Sequence, residues 1–434
     1  MSADITIIGG GLAGSEAALT LASKGYKVRL VECRPLSLTP AHLTGKYAEL
    51  VCSNSLKSVD HLTAHGLLKK ELELLGSHLL ECAKLTQVSA GSALAVDREK
   101  FSSLVTQRIE NNDKIERVNE LAGEPSCGYT IIATGPLTMP PLSNWLKKLG
   151  TMHFYDAEAP IVSFDSIDME SAYFASRYGK GDGKDYLNCP LSKDEYIEFV
   201  KELNSAETAV KRSFEKKEIF EGCMPVEVMA GRGLDSLRFG PLKPVGLTNP
   251  KTGKRDYAVV QLRKENAAGD MYNIVGFQTN LKYNEQKRVF GLIPALKNAE
   301  YYRYGVMHRN TYIDSPSSLD QFFRLKNNEK VFIAGQLSGV EGYVESIASG
   351  KMAALHAIRV LEGKAPVPLP LETIMGALAR YISTESSNFQ PMNANYGLLP
   401  PLGEDIRDKS LKKEKIYARS INSMTKYMES ILWN

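Results

Sequence analysis

The chain is poor in features that would place it in a specialised class, and each shortage excludes something. Its six cysteines, Cys33, Cys52, Cys82, Cys127, Cys189 and Cys223, lie at least 19 residues apart. That spacing leaves no CxxC zinc ribbon, thioredoxin-like pair or tight dithiol. No metal centre is expected, and so sparse a set in 434 residues suits a reducing cytosol better than a disulfide scaffold. Net charge is scarce too: 53 Lys+Arg against 50 Asp+Glu leave a formal +3. Binding of polyanions through overall charge is therefore excluded, and any nucleic-acid surface must be local. The longest uncharged stretches, Pro125 to Leu146 and Ser386 to Gly403, hold several prolines and polar residues, so neither is a membrane helix. The N-terminus MSADITIIGGGLAGSEAAL has an acid at Asp4 and lacks a basic n-region and a small-residue cleavage site, so a cytoplasmic protein is expected. Internal repeats and low-complexity tracts are missing. The length suggests two or three domains of about 100 to 200 residues each.

What is present is concentrated at the start. The β-branched run Ile5 to Ile8 leads into Gly9-Gly10-Gly11-Leu12-Ala13-Gly14, and Ser15 to Ser23 reads as an Ala/Leu-rich helix stopping at Gly25. A second apolar strand, Val28 to Val31, ends in Glu32, 18 residues after Gly14. In this order Gly9 permits a tight turn, Gly11 lets backbone approach a pyrophosphate, and Gly14 lets helix and strand pack closely. The helix N-terminus offers unpaired N–H groups to phosphates, and Glu32 can accept hydrogen bonds from an adenosine ribose. Two later strands, Tyr129 to Gly135 and Val331 to Gly335 with Gln336, read as returning to the same ligand. After the second come Gly339 to Tyr343 and a helical stretch, Ser346 to Leu361. A second strand-GxGxxG-helix unit for a nicotinamide is lacking, which favours FAD over free NAD.

The stretch between reads differently. Ser192 with Glu195 is a capping-box spacing, so Ser192 to Asn204 is an amphipathic helix. Tyr257 to Arg263 and Tyr272 to Gln278 read as paired strands, Asn249 to Gly253 as a turn, and Gly179 to Gly183 as a loop. From Arg238 to Lys264 seven basic residues stand against Asp256 alone, an excess of six, and Arg407 to Arg419 carries an excess of four. Such runs are either solvated surface or phosphate contacts. The fold class expected is α/β, a Rossmann-like FAD-binding domain of the two-part flavoprotein type split by an inserted α+β domain. Its parts are residues 1–150, 151–328 and 329–434.

Beyond the glycine fingerprint, AELVCSNSLKS (Ala48 to Ser58), ALAVDR (Ala93 to Arg98), FEGCMPVE (Phe220 to Glu227), FGPLKPVGL (Phe239 to Leu247), RYGVMHRNT (Arg303 to Thr311), GVEGYVES (Gly339 to Ser346) and NFQPMNANYGLL (Asn388 to Leu399) are long and irregular strings. With these the chain resembles, over essentially its whole length, the GidA/TrmFO family of folate- and FAD-dependent tRNA (uracil-5-)-methyltransferases. One departure is Gly9-Gly10-Gly11, where many members have Gly-Ala-Gly. The resemblance implies transfer of a one-carbon unit from 5,10-methylenetetrahydrofolate to C5 of the T-loop uridine of tRNA, with FAD as hydride donor regenerated by NADPH or NADH. Alternatives are a similar enzyme acting on a uridine of 23S rRNA, a relative that modifies the wobble uridine, an NAD(P)H-dependent flavin oxidoreductase of small molecules, and an RNA-binding flavoprotein without turnover. Oligomeric state stays open between monomer and homodimer.

Uracil C5 becomes nucleophilic only after addition at C6, a task suited to a cysteine thiolate. The family pattern selects Cys223 as that nucleophile. It selects Cys52 to face the flavin, as base for the C5 proton or as partner in handling the one-carbon unit. Hydride from reduced FAD would then complete the methyl group. Cys33, Cys82 and Cys127 read as inert. His308 is the candidate for stacking on the folate pterin, with Arg309 or Asn310 as polar contacts, and Tyr343 could flank the flavin. Arg238, Lys243, Lys251, Lys254 and Arg255 are the candidate RNA phosphate contacts.

Overall fold

The computed structural model describes residues 3–125, 127–179, 183–209 and 224–432. The first strand, β1 (Ile5–Ile8), runs into helix α1 (Leu12–Ser23), which leads to β2 (Val28–Glu32). β1 pairs in parallel with β2 on one side, Ile5 opposite Val28, and with Tyr129–Ile132 on the other, Ile5 opposite Tyr129. Ile115–Asn119 extends the sheet beyond β2, and Asn328–Ile333 extends it beyond Tyr129–Ile132, with the antiparallel Arg324–Leu325 at that edge. Ile5, Ile7, Leu30, Ile131 and Phe332 are all buried, as expected for a parallel sheet covered on both faces. α1 packs against the helix Tyr343–Leu361. The chain leaves β1 to one side and returns on the other, so a crevice opens beyond its carboxyl end, where such sheets hold ligands.

A second sheet is antiparallel throughout. Its order is Tyr173–Phe174, Tyr186–Leu191, Ala258–Lys264, Met271–Ile274, Ile161–Ser163, Tyr301–Arg303. It has its own core, including Leu187, Phe199, Val260, Phe277 and Phe290. The helix Lys193–Ser205 begins at the expected capping box: Glu195 N donates to Ser192 Oγ at 3.3 Å and Ser192 N to Glu195 Oε2 at 2.7 Å. Tyr196, Phe199, Val200 and Leu203 form its buried stripe, each side chain contributing about 1.5–3 kcal/mol. The expected strand pair is present, with Leu262 opposite Ile274, and the Asn249 turn closes through Gly253 N to Asn249 O. The expected loop at Gly179 to Gly183 falls mainly outside the described residues.

The chain crosses between the cores on an antiparallel ribbon, Thr151–Ala157 with Met307–Ile313. Phe154 and Tyr312 anchor it in the first core, their ring centroids 5.9 Å apart. That core also takes in Leu319, Phe323 and Leu325, ahead of residue 329. The C-terminal helices are tied down by Glu71, whose buried carboxylate accepts from Ile374 N, Met375 N and Ser420 Oγ at 2.7–2.9 Å. Among the described residues, no helix is long and apolar enough to cross a membrane.

Candidate functional site

The glycine turn owes its shape to sterics. Gly9 has φ +104°, and a Cβ there would lie 2.5 Å from Ala133 O; at Gly14 a Cβ would lie 1.8 Å from Gly9 O. No larger residue allows α1 to approach β1 this closely. At Gly11 nothing stands within 4 Å of a Cβ position, so a diphosphate has room to reach the backbone and the N-terminal N–H groups of α1. The adjoining cleft is lined by Gly9, Gly11, Leu12, Ala13, Glu32, Gly135, Gly335, Gln336 and Tyr343. Gly10 and Gly14 do not line it: Gly10 N donates to Glu32, and Gly14 packs against Gly9. The lining residues fit the adenosine diphosphate and ring system of FAD.

Glu32 sits at the end of β2, buried, and accepts Gly10 N at 2.6 Å. Arg34 Nε and Nη2 donate to its two oxygens at 3.0 and 3.1 Å. Burial alone would raise its pKa, but the hydrogen bonds and charge of Arg34, with Gly10 N, hold it down at about 2. Arg34, fully buried, also reaches Glu49 at 3.4 Å. Neither Arg34 nor Glu49 was signalled by the glycine motif, and both line the cleft. Cys33 is beside them, its thiol pushed up to about 11 by burial and Glu32, while Cys82 is buried and Cys127 exposed.

A second cavity continues the first, sharing Val51, Pro136, Leu137, Gln336, Tyr343 and Ser346. Cys52 is on its wall. Cys52 N donates to Tyr343 Oη at 2.7 Å, and Arg98 Nη2 donates to Cys52 O at 2.9 Å while pairing with Glu265 Oε2 at 2.8 Å. Arg98, the first residue of the helix Arg98–Glu110, thus joins the loop that carries Cys52 to the residue just after the strand Ala258–Lys264 of the antiparallel sheet. Burial, then Asp156 and Glu158, push the Cys52 thiol well above the usual cysteine range. Glu158 also meets Arg303 Nη2 at 2.5 Å and His308 Nε2 at 3.2 Å. His308 and Asn310 line this cavity. Arg309 does not: strand alternation carries it to the opposite face of Met307–Ile313, where it is exposed. Burial and Asp156 raise the Glu341 carboxyl, which accepts from Gln336 Nε2. Cys223 lies outside the described residues.

The basic strip is narrower than its sequence suggests. Arg238 lays its guanidinium 3.8 Å from the Tyr257 ring centroid and bonds Asp235 at 3.0 Å, and Lys251 Nζ donates to the carbonyls of Met169 and Glu170. Arg263 is buried and donates to Asn54 Oδ1 at 3.0 Å. Lys243, Lys254 and Arg255 are exposed. In the second basic run, Arg419 donates to the carbonyls of Pro400 and Pro401 and Lys415 pairs with Glu404.

Sheet order and cleft together put the chain in the class of two-part proteins with a Rossmann-like FAD-binding fold. Its backbone superposes on two crystal forms of Aquifex aeolicus GidA, each at TM-score 0.68. The identities are 15% and 16%, with 99% and 96% of this chain covered and 76% and 75% of those chains; at such identity the likeness shows the fold alone. Residues 4–365 match the family model described as "Glucose inhibited division protein A", and the chain belongs to this family. It is 52% identical over 429 residues to a protein of Brevibacillus brevis, covering 98% of each chain. It is 53% identical over 429 residues to one of Acetivibrio thermocellus, again covering 98% of each. Both relatives are named methylenetetrahydrofolate--tRNA-(uracil-5-)-methyltransferase TrmFO.

Proposed function

We propose that this protein transfers a one-carbon unit from 5,10-methylenetetrahydrofolate to C5 of the T-loop uridine of tRNA, with FAD as resident cofactor and NADPH or NADH as reductant. The observation that carries the reading is the continuity of the two cavities: the dinucleotide cradle opens past Gln336 and Tyr343 into a space walled by Cys52, His308 and Asn310. FAD, once reduced, supplies the hydride that completes the methyl group. Residues 1–150 and the chain from Asp314 onward hold it, so that the returning part begins ahead of residue 329, and the second sheet in the excursion between them meets the RNA.

Cys223 is the nucleophile in this reading: its thiolate bonds C6, and the electron pair released to C5 attacks the methylene carbon of the donor, whose two bonds to folate nitrogens break in turn, the second as the C5 proton leaves to a base; hydride arriving at the resulting exocyclic methylene then expels the thiolate from C6. Burial beside Asp156 and Glu158 keeps Cys52 a thiol, unready to take the C5 proton or to attack carbon until a neighbouring group accepts its own proton, so any part it has in handling the one-carbon unit runs through those carboxylates. The carboxylates around it are the better proton acceptors. His308 and Asn310 hold the folate, while the exposed cations Lys243, Lys254 and Arg255 meet phosphate. The purified holoprotein, given methylenetetrahydrofolate, NADPH and RNA tritiated at uridine C5, should release tritium from unmodified tRNA. Release from neither tRNA nor rRNA would refute methyl transfer, and release from rRNA alone would replace the substrate.

A further inference from the structure

The segment Arg238 to Gly246 carries more than charge. Phe239 is 83% exposed and Val245 42%, although Leu237 and Leu242, two and three residues before them, are buried in the second core. Tyr178, 66% exposed, lies against the same segment: Tyr178 N donates to Gly246 O at 2.9 Å and Arg177 Nη1 to Val245 O at 2.6 Å. Tyr178 is held at φ 58°, a left-handed conformation that a bulky side chain adopts only under constraint. Its ring covers Gly246, where a Cβ would come within 2.8 Å of Tyr178 Cζ. Exposed Lys243 thus lies in the chain between the open Phe239 ring and Gly246, the residue that Tyr178 covers, and Lys254 and Arg255 are exposed farther along the same run. An aromatic left in water between cations loses burial energy but gains a face on which a nucleobase can stack.

We propose that Tyr178, Phe239 and Lys243 form a stacking platform for unpaired bases of the substrate RNA, resting on the tRNA methyltransferase reading above. These bases are not the target uridine. The strand Ala258–Lys264 meets this segment at Val259 N, which donates to Leu242 O, and meets Arg177 at Gln261; from these points to Glu265, the partner of Arg98 at Cys52, it spans about 13–20 Å at about 3.3 Å per residue. The platform therefore grips a loop elsewhere on the folded RNA while the uridine, turned out of its stack, reaches the flavin cleft. Lys243 meets the backbone of the stacked nucleotides. Such a surface selects RNA with a loop at a fixed distance from the target, a demand that phosphate contacts alone do not make.

The test uses FAD-loaded protein and unmodified tRNA. Phe239→Leu and Tyr178→Leu keep apolar bulk and remove the π-face. Each should weaken tRNA affinity by about 5- to 150-fold, with the slope of log affinity against log salt unchanged, since no phosphate contact is lost. Flavin reduction by NADPH and the KM for methylenetetrahydrofolate should stay at wild-type values, which also reports intact folding. Phe239→Trp should retain affinity, with its indole fluorescence quenched when RNA binds. Unchanged tRNA affinity in both Leu variants overturns the platform, as does loss of a concentration-dependent dimer in Phe239→Leu without loss of RNA affinity, which would make this face a contact between copies. Wild-type protein that reduces its flavin but binds no tRNA sinks the methyltransferase reading along with it.

Discussion

Replacing Glu32 by Gln removes the charge from a carboxylate that is 6% exposed and meets donors on both oxygens. Oε2 accepts Gly10 N at 2.6 Å and Arg34 Nη2 at 3.1 Å; Oε1 accepts Arg34 N at 3.1 Å and Nε at 3.0 Å. Whichever oxygen becomes an NH2 group, N–H donors face it, so no rotamer of the amide satisfies the site. Arg34 is left with Glu49 alone, at 3.4 Å. Two routes give the same size. A carboxyl held at about 2 against an ordinary 4.5 corresponds to about 3.4 kcal/mol favouring the ionised folded form. Removing one member of a buried pair costs about 3–5 kcal/mol. Because the folded value lies below the unfolded one, this stability is present above pH 4.5 or so and is lost as pH falls towards 2; at pH 3.5 about 2 kcal/mol remains. Urea unfolding of wild-type and Glu32→Gln apoprotein at pH 7 should therefore differ by about 3–4 kcal/mol, and the gap should narrow at pH 3.5. A gap under about 1 kcal/mol at pH 7, or one equal at both pH values, would refute the reasoning.

Other substitutions probe the rest of the site. A Cβ at Gly10 would lie 2.4 Å from the Tyr47 ring, so Gly10→Ala should cost about 1–3 kcal/mol of stability. In a double-mutant cycle with Tyr47→Leu, read by thermal unfolding, most of that cost should vanish, and strict additivity would count against the clash. Tyr343→Phe removes the acceptor of Cys52 N; with about 1–3 kcal/mol lost at a buried amide, single-turnover methyl transfer should fall about ten-fold while flavin reduction persists. Burial with Asp156 and Glu158 keeps Cys52 a thiol, so iodoacetamide at pH 8 should label it more slowly than the exposed Cys127, as peptide mass spectrometry can measure. Equal labelling rates would contradict that environment.

The parts of this protein readable from sequence are those whose causes are local. The glycine turn, α1, β2 ending in Glu32 and the Ser192 capping box each depend on residues a few positions apart, and each stands where the spacing puts it. The environment of Cys52 depends on Tyr343, 291 residues away, and on the Arg98–Glu265 pair, 167 residues apart, which no periodicity encodes. Counting charge also misleads. Arg263 is buried by its place in a strand packed on both faces, and Arg238 turns onto Tyr257, so the excess of basic residues overstates the free cations. His308 and Asn310 reach the cleft while Arg309 does not because a strand divides neighbours between two faces; the motif RYGVMHRNT gives the three no such distinction. Gly10, which looks interchangeable with alanine in the fingerprint, is held to glycine by a tyrosine 37 positions on.

The ribbon of Thr151–Ala157 and Met307–Ile313 has a consequence for how such a protein can be edited. Thr151 is paired with Ile313, and Asp314 N donates to Gly150 O at 2.7 Å, so the long excursion leaves and rejoins the first core at one doorway. To the parallel sheet, everything in between has the footprint of a single turn. A tight loop grafted at Gly150 and Asp314 would bridge the gap without moving a strand of the nucleotide-binding half. Such a graft would also remove Glu265, the partner of Arg98, and the Asp156, Glu158, His308 and Asn310 side of the second cavity, so the nucleotide cradle would remain while the chamber beside Cys52 would lose a wall.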